Sequence, residues 1–240
     1  MDLPGYVALT RATGLLKTMQ AVANNIANVS TTGFRREGVL FAEMVEALPA
    51  EGGSVAMTAA RGRVTSQEQG ALVETGGALD MAIEGTGYFT VLTPQGERLT
   101  RAGAFARSAD GEIVDPAGHP LLDEGGGPIV VPFEAQTVAL ASDGTLSVDG
   151  EPVARIGLVT VEDQAKLFRE AGTLFRAEGD VLPTEEGRLV QGSLEQSNVN
   201  PVAEMARMIE VQRAYEYGQK LLDSEDGRIR LVVRTLGSQA

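Results

Sequence analysis

The chain has 240 residues, 29 of them glycine and none cysteine, and a formal net charge of −13 at pH 7. The lack of cysteine excludes disulfides, thiolate nucleophiles and cysteine-ligated metals, and the negative charge argues against nucleic acid as a partner. No apolar run is long enough to span a membrane, and Met1-Asp2-Leu3-Pro4 lacks the basic and apolar segments of a cleavable signal peptide.

The charge is distributed unevenly along the chain. Residues 1–45 carry a net +1 and residues 201–240 carry 0, whereas residues 46–200 carry 10 basic and 24 acidic side chains. Near-neutral ends allow close packing, while an acidic centre would repel its copies or simply keep a surface domain soluble.

The first predicted element is a helix over residues 5–28. Its apolar and small residues recur in alternating steps of three and four, the period of a helix that packs along one seam. Asparagines near its end compete for backbone hydrogen bonds and lead into a turn at residues 30–33. The seam contains Leu9, Ala12, Leu16, Met19, Ala23 and Ile26.

The centre of the chain lacks this period. Residues 34–78 show mixed character with several glycines, which predicts an extended, loop-rich connector. From residue 79 apolar residues alternate, and Asp110-Gly111, Asp143-Gly144 and Asp149-Gly150 predict hairpin turns. Residues 79–190 are therefore predicted to form one all-β domain, a sandwich or distorted barrel.

A second long helix is predicted from Pro201 to about Leu236. Asn200 provides the N-cap, and proline suits the first helical position. Its apolar stripe is interrupted by Gly218 and Glu225 and contains Met208, Val211, Tyr215, Leu222, Ile229, Val232 and Leu236.

These elements predict a mainly β central domain with N- and C-terminal helices that form a coiled-coil-like stem. The stem takes residues 1–33 and 198–240, the connector residues 34–78 and 191–197, and the outer β domain residues 79–190. This plan is typical of a self-assembling subunit and less often of an enzyme.

Both ends also resemble known signatures. Residues 23–34 (ANNIANVSTTGF), 197–200 (SNVN) and 208–216 (MIEVQRAYE) resemble the terminal motifs of bacterial flagellar rod and hook proteins, and residues 79–89 and 100–103 extend the resemblance into the centre. Residues 128–132 and 141–147 are most similar to the proximal rod proteins. Distal rod and hook proteins are the alternatives.

The resemblance implies a non-enzymatic axial subunit of the flagellar basal body that needs no cofactor or metal. Such subunits pass through the flagellar type III export apparatus, span the periplasm and stack helically with copies of themselves and with other axial rod proteins. Their terminal helices form the inner tube and their β domain faces outward. Neither nucleic acid binding nor membrane insertion is implied.

We expect the subunit interface on the terminal segments. The seams could instead pack within one subunit, the asparagines could cap helices rather than hydrogen-bond between subunits, and Arg213 could be a solvated surface charge. The expected residues are Leu9, Ala12, Leu16, Met19, Asn24, Asn25, Ile26, Asn28, Asn198, Asn200, Met208, Val211, Gln212, Arg213, Tyr215 and Leu222.

Two other functional classes are weaker. A glycan-binding β domain would need an aromatic platform, and the chain has no tryptophan. A hydrolase would need paired carboxyl groups with one raised pKa, but Glu185 and Glu186 are adjacent and His119 is a single turn histidine. Gly125-Gly126-Gly127 is followed by proline, which does not match a phosphate-binding loop.

Overall fold

The computed structural model describes residues 3–47, 54–170 and 172–237, which form many short strands between two terminal helices. The elements are α1 (Leu3–Ala27), β1 (Glu37–Ala47), β2 (Ser54–Thr65), β3 (Leu72–Glu74), β4 (Met81–Glu84), β5 (Phe89–Thr93), β6 (Gly96–Thr100), β7 (Ala106–Arg107), β8 (Ile113–Val114), β9 (Val138–Leu140), β10 (Thr145–Val148), β11 (Glu151–Arg155), β12 (Val159–Val161), a 3-10 turn (Gln164–Lys166), β13 (Leu167–Arg169), β14 (Leu174–Ala177), β15 (Val181–Pro183), β16 (Arg188–Gln191), β17 (Ser193–Glu195) and α2 (Pro201–Gly237).

The chain divides into two compact units. The helical unit comprises Met1–Ala27, Glu37–Ser66 and Asn200–Ala240, and the β unit comprises Asn28–Arg36 and Gln67–Val199. The helical unit holds 10 basic and 11 acidic side chains, whereas the β unit holds 10 basic and 22 acidic ones. Neither helix within the described ranges has the length and apolarity that a membrane crossing requires.

The helical unit contains the two long helices and a β-hairpin. Near the end of α1, Asn25 contacts Glu204 near the start of α2, and the helices pack side by side in antiparallel directions. Strands β1 and β2 pair antiparallel, and the hairpin packs against α1. A two-stranded hairpin is marginal alone, so this packing stabilises it.

The hairpin lies where the sequence predicts a loop-rich connector. The pairing register shifts between Leu40 and Phe41, and Gly62 lies opposite Leu40. A bulge of this kind interrupts the two-residue alternation on which strand prediction depends. The hairpin also groups with the helices, so the compact units divide the chain differently from the predicted stem, connector and outer domain.

The β unit is built from small sheets. Among its described strands, each sheet has two to four members and none closes into a barrel, so the expected sandwich or distorted barrel is replaced by a patchwork. Strands this short, separated by frequent glycine turns, do not extend into the long continuous sheets of a sandwich or barrel. The sheets are β9–β10–β11, β12–β15, β13–β14–β6–β5, β16–β4, β17–β3 and β7–β8.

The β unit has two apolar clusters. In β4, Met81, Ala82 and Ile83 are all buried, so this strand is covered on both sides and does not alternate as predicted. The larger cluster contains Met81, Ile83, Phe89, Val91, Phe105, Ile113, Leu121, Ile129, Val131, Leu146, Val148, Ile156, Leu158 and Leu189, and the smaller contains Tyr88, Leu99, Val161, Leu167 and Phe175.

One predicted turn is confirmed in detail. Asp149 and Gly150 connect β10 to β11 with φ values of 51° and 90°. Positive φ at both central residues defines the type I′ hairpin turn that Asp-Gly favours.

Candidate assembly surface

The inward face of α1 is made mainly of small residues, together with the buried Val22. Gly14, Thr18, Ala21 and Asn25 are buried at steps of four, three and four. A Cβ on Gly14 would lie 3.0 Å from Phe41 Cε1, so the hairpin approaches the helix backbone closely there. Small side chains are required at this contact.

The predicted α1 seam lies on the opposite side of the helix. Leu9 is 61% exposed and Leu16 42% exposed, while Ala12, Met19 and Ile26 are half-buried. Leu16 follows Gly14 by two residues, about 200° around a helix. The pattern identifies a genuine stripe, but within this chain the stripe is the outward face.

The α2 stripe behaves in the opposite way. Glu204 and Val211 are buried, and Met208, Tyr215 and Leu222 are half-buried, so the predicted residues face the interior of the helical unit. Gln212 and Arg213, expected at the interface, are exposed beside this face. The predicted apolar stripe of α1 is therefore the outward face of that helix, whereas the predicted stripe of α2 faces the interior of the helical unit.

The outward side of α2 carries a patch that sequence reasoning missed. Val202, Met205 and Ile209 are exposed and recur at steps of three and four. The spacing was available in the sequence, but the longer stripe that begins at Met208 concealed it.

A buried amide links three elements of the helical unit. Asn25 Oδ1 accepts a hydrogen bond from Glu37 N at 2.8 Å, and Asn25 Nδ2 donates to Glu37 O at 2.9 Å. Nδ2 also donates to Glu204 Oε2 at 3.1 Å. Asn25 is fully buried and thus joins α1, β1 and α2 within one chain. Its amide is already engaged, so we omit it from the interface proposed below.

Glu37 has further polar neighbours in the same unit. Its Oε2 accepts a hydrogen bond from Asn24 Nδ2 at 3.4 Å and lies 3.3 Å from Arg63 Nη1. The Glu37 side chain is almost completely buried, whereas that of Arg63 is largely exposed. The side chains of Asn24, Asn25, Glu37, Arg63 and Glu204 are together called the amide clip below.

Asn28 and Asn200 stabilise nearby backbone, whereas Asn198 joins segments that are far apart in the sequence. Asn28 Oδ1 accepts a hydrogen bond from Thr31 Oγ1 at 3.1 Å, which stabilises the turn after α1. Asn198 Oδ1 accepts from Arg36 N at 2.6 Å. Asn200 Oδ1 accepts from the backbone N of Val202 and Ala203, both at 3.1 Å, as the predicted N-cap does.

The β unit is tied together by an ionic clasp of Arg35, Arg101 and Glu195. Arg35 Nη2 lies 2.8 Å from Glu195 Oε1, and Arg101 Nη1 lies 3.4 Å from Glu195 Oε2. Gly70 N donates to Glu195 Oε1 at 3.0 Å, and Arg35 Nη1 donates to Glu68 O. All three charged side chains are buried.

Arg101 is held by backbone and aromatic contacts as well. Its guanidinium donates to Ile83 O at 3.2 Å and Gly85 O at 2.5 Å, and stands 5.5 Å from the Tyr88 ring centroid. Burial lowers the pKa of Arg101 to about 10, opposed by the nearby Glu195 carboxylate. Burial also raises the pKa of the Tyr88 phenol, whose hydroxyl donates to Gln67 Oε1 at 3.0 Å.

The turn after α1 belongs to this clasp. Gly33 adopts φ +68°, and a Cβ there would lie 2.3 Å from Ala102 N. Gly33 N donates to Glu195 O at 2.7 Å. Phe34 is buried, and the Arg169 guanidinium stands 4.3 Å from its ring centroid. No spacing in the sequence could reveal these contacts, because they join residues far apart along the chain.

The shifted pKa values of carboxyl groups in the β unit do not favour a role as a general acid. Among its described carboxyl groups, Asp143, Asp149 and Glu170 have shifted pKa values, and all three are lowered. A backbone hydrogen bond from Thr145 causes the first shift, one from Thr137 the second, and a side-chain hydrogen bond from Arg98 the third. A general acid at neutral pH needs the opposite direction. No group of three or more metal-ligating side chains was found in the described ranges.

Three family models match the chain. The model for the flagella basal body rod protein matches residues 6–35, and the model for the flagellar hook protein FlgE/F/G D1 domain matches residues 82–148. The model for the C-terminal part of the flagellar basal body rod FlgEFG proteins matches residues 190–233.

The similarity to individual relatives extends over nearly the whole chain. The flagellar basal-body rod protein FlgF of Caulobacter vibrioides is 39% identical over 243 residues, with 99% of each chain covered. FlgF of Salmonella typhimurium is 34% identical, covering 94% of this chain and 95% of its own. FlgG of Bacillus subtilis is 33% identical, covering 87% of this chain and 89% of its own.

Proposed function

Because the chain belongs to the flagellar basal-body rod protein family, we propose that it joins the rod through the outward faces of its terminal helices. It is a structural subunit of the rod and is most like relatives named FlgF. The observation that carries the proposal is that α1 and α2 each expose apolar residues at helical spacing. Burial of such surface against another subunit favours association.

We assign the chain to the proximal part of the rod, within the periplasm, with copies of itself and other axial rod proteins as partners. A distal rod or hook-family position is the alternative. Export through the flagellar type III apparatus is part of the same proposal, and the family membership supports it. The outward stripes also imply that the helices gain order on assembly, since exposed apolar faces stabilise an isolated helix pair poorly.

The proposal is tested by placing a carboxylate on each outward face. Leu16→Asp and Ile209→Asp should abolish concentration-dependent assembly of the purified protein, measured by sedimentation, because burying an unpaired charge is strongly unfavourable. The matched control is Leu182→Asp in the β unit, where the leucine is 46% exposed and so similar to Leu16. Normal assembly of both helix variants, with helical content retained by circular dichroism, would contradict the proposal.

The same variants can be examined in cells that lack the gene. Wild-type protein and Leu182→Asp should restore swimming and complete basal bodies in electron micrographs. Leu16→Asp and Ile209→Asp should leave rings without a completed rod. Full restoration by both helix variants would remove the assembly role of the outward faces.

A further inference from the structure

The chain passes between the helical unit and the β unit four times. The boundaries follow residues 27, 36, 66 and 199, so the β unit consists of two pieces, residues 28–36 and residues 67–199. Three short segments carry the four ends of these pieces: residues 28–36, 67–70 and 195–199. Any force that reaches the β unit along the chain therefore enters through one of these segments.

Asn198 joins all three segments. Its Oδ1 accepts a hydrogen bond from Arg36 N at 2.6 Å, and its Nδ2 donates to Glu68 O at 2.7 Å. Its own backbone N donates to Phe34 O at 3.3 Å. The two ends of the side-chain amide are thus used on two different segments, while the backbone of Asn198 belongs to the third.

Arg35 makes a second set of ties between the same segments. Its Nη1 donates to Gln67 O at 2.7 Å, and its Nη2 lies 2.8 Å from Glu195 Oε1. Two of the segments also touch directly, because a Cβ on Gly70 would lie 1.9 Å from Gln196 O. The three segments therefore lie side by side and are joined crosswise by two side chains.

We propose that Asn198 and Arg35 form a mechanical clamp that makes the three segments resist force together. Without the clamp, force along one segment would peel that segment away alone and break its hydrogen bonds one after another. With it, bonds of neighbouring segments must break at the same time, which slows forced unfolding. These two side chains and the segments that they join are called the collar below.

An asparagine suits the centre of the collar. Its short side chain offers an acceptor and two donors on one planar group, so opposite ends of the group can bind different segments. Asn198 is half-buried, which partly shields these bonds from exchange with water. A hydroxyl or a carboxylate at this position could not reproduce both ties with the same geometry.

The collar lies within a single chain and goes beyond the proposed function. In a subunit whose helices are fixed to neighbours, force on the β unit would be carried along the chain through the collar. That consequence rests on the proposed function, whereas the clamp itself can be measured on one molecule.

Force measurements on single full-length molecules test the clamp, with engineered cysteines as handles in a chain that has none of its own. The first axis joins Ala117→Cys, on an exposed turn of the β unit, to Val202→Cys, just beyond the fourth boundary. The second axis joins Ala117→Cys to Asp180→Cys, so both handles lie in the β unit. Only the first axis loads the collar from outside the β unit.

Asn198→Ala should raise the rate of rupture at constant force about ten-fold or more along the first axis, because two hydrogen bonds between segments are lost. The increase along the second axis should be much smaller. An equal increase along both axes would show a general loss of stability and overturn the clamp. An unchanged rate along the first axis would overturn it as well.

Gln191→Ala is the matched control, because the Gln191 amide joins distant segments of the β unit outside the collar. Its Nε2 donates to Ala78 O at 2.7 Å and to Val138 O at 2.8 Å, and its Oε1 accepts from Leu140 N at 2.9 Å. Its loss should change the rupture rate by a similar factor along both axes. The same preference for the first axis in Gln191→Ala would contradict a special role of the collar.

Asn198→Asp provides a second test if Asn198→Ala does not fold, as judged by circular dichroism. The carboxylate keeps an acceptor for Arg36 N but loses the donor to Glu68 O, so one of the two ties is cut. This variant should also rupture faster along the first axis than along the second, by a smaller factor. Equal effects along the two axes would overturn the clamp.

The clamp and the proposed function fail independently. If Leu16→Asp and Ile209→Asp abolish assembly but the Asn198 variants show no preference for the first axis, the clamp is wrong and the outward faces stand. If Leu16→Asp and Ile209→Asp assemble normally but the preference is observed, the proposed function is wrong and the clamp stands.

Discussion

The amide clip and the ionic clasp secure the two units by different chemistry. In the helical unit, the neutral Asn25 side chain satisfies one backbone donor, one backbone acceptor and one carboxylate. In the β unit, two buried guanidinium groups share the carboxylate of Glu195. An amide link loses hydrogen bonds when it is cut, whereas a buried ion cluster that loses one member leaves charge without a counterion. The β unit should therefore be the more sensitive to a single substitution.

Removing the Glu195 carboxylate is the most direct test of the difference between the two units. Glu195→Gln should lower the free energy of unfolding of the β unit by about 3–5 kcal/mol, because Arg35 and Arg101 then remain buried without a counterion. Denaturant unfolding can be followed by Tyr88 fluorescence after Tyr6, Tyr215 and Tyr217 are replaced by Phe. Tyr88 is then the only tyrosine left.

The control for this measurement is Glu185→Gln, which alters an exposed carboxylate of the same unit and should have little effect. If Glu195→Gln were as mild as Glu185→Gln, the clasp would not stabilise the β unit.

A substitution at Gly33 tests how much the turn after α1, which packs beside the clasp, contributes to the stability of the β unit. Gly33→Ala should cost about 2 kcal/mol or more, because it combines a left-handed φ with a steric clash. Its new Cβ would meet Ala102 N at 2.3 Å. Gly118→Ala is the matched control, since Gly118 has φ +88° but no atom within 4 Å of the added Cβ. Equal losses for the two variants would show that backbone conformation alone accounts for the effect.

Cutting the amide clip should have a smaller effect. Asn25→Leu preserves volume but leaves the backbone groups of Glu37 and the Glu204 carboxylate without this partner, which should cost about 1–3 kcal/mol. The loss should appear in the helical signal of circular dichroism, with Tyr88 fluorescence unchanged. Gln20→Leu, at an exposed position of α1, is the control. If only the Tyr88 transition shifted, the lost stability would belong to the β unit, and the role of the amide clip in the helical unit would be wrong.

The sequence predicted the two helices, the N-cap of α2 and much of the β character, because these depend on local spacing and turn chemistry. It did not predict which face of α1 is buried, since most of the buried positions carry small residues and the larger apolar ones other than Val22 are exposed or half-buried. It assigned residues 34–78 to a connector because the unpaired Arg61 at the bulge interrupts the alternation of β2. The ionic clasp could not be predicted, because Arg35 and Glu195 are far apart in the sequence and are brought together only by the fold.

Acid should have the mildest effect on the β unit. The described carboxyl groups with lowered pKa values, Asp143, Asp149 and Glu170, all belong to the β unit. Their folded-state pKa values lie below the reference values of 3.8 for Asp and 4.5 for Glu. Their stabilising contribution is therefore complete above those values and is lost as the pH falls through the folded-state values. The Tyr88 transition should therefore weaken as the pH is lowered from about 5. In Asp149→Asn the part of this decline that belongs to Asp149 should vanish, and an unchanged pH profile would show that its hydrogen bonds to residues 136 and 137 contribute nothing.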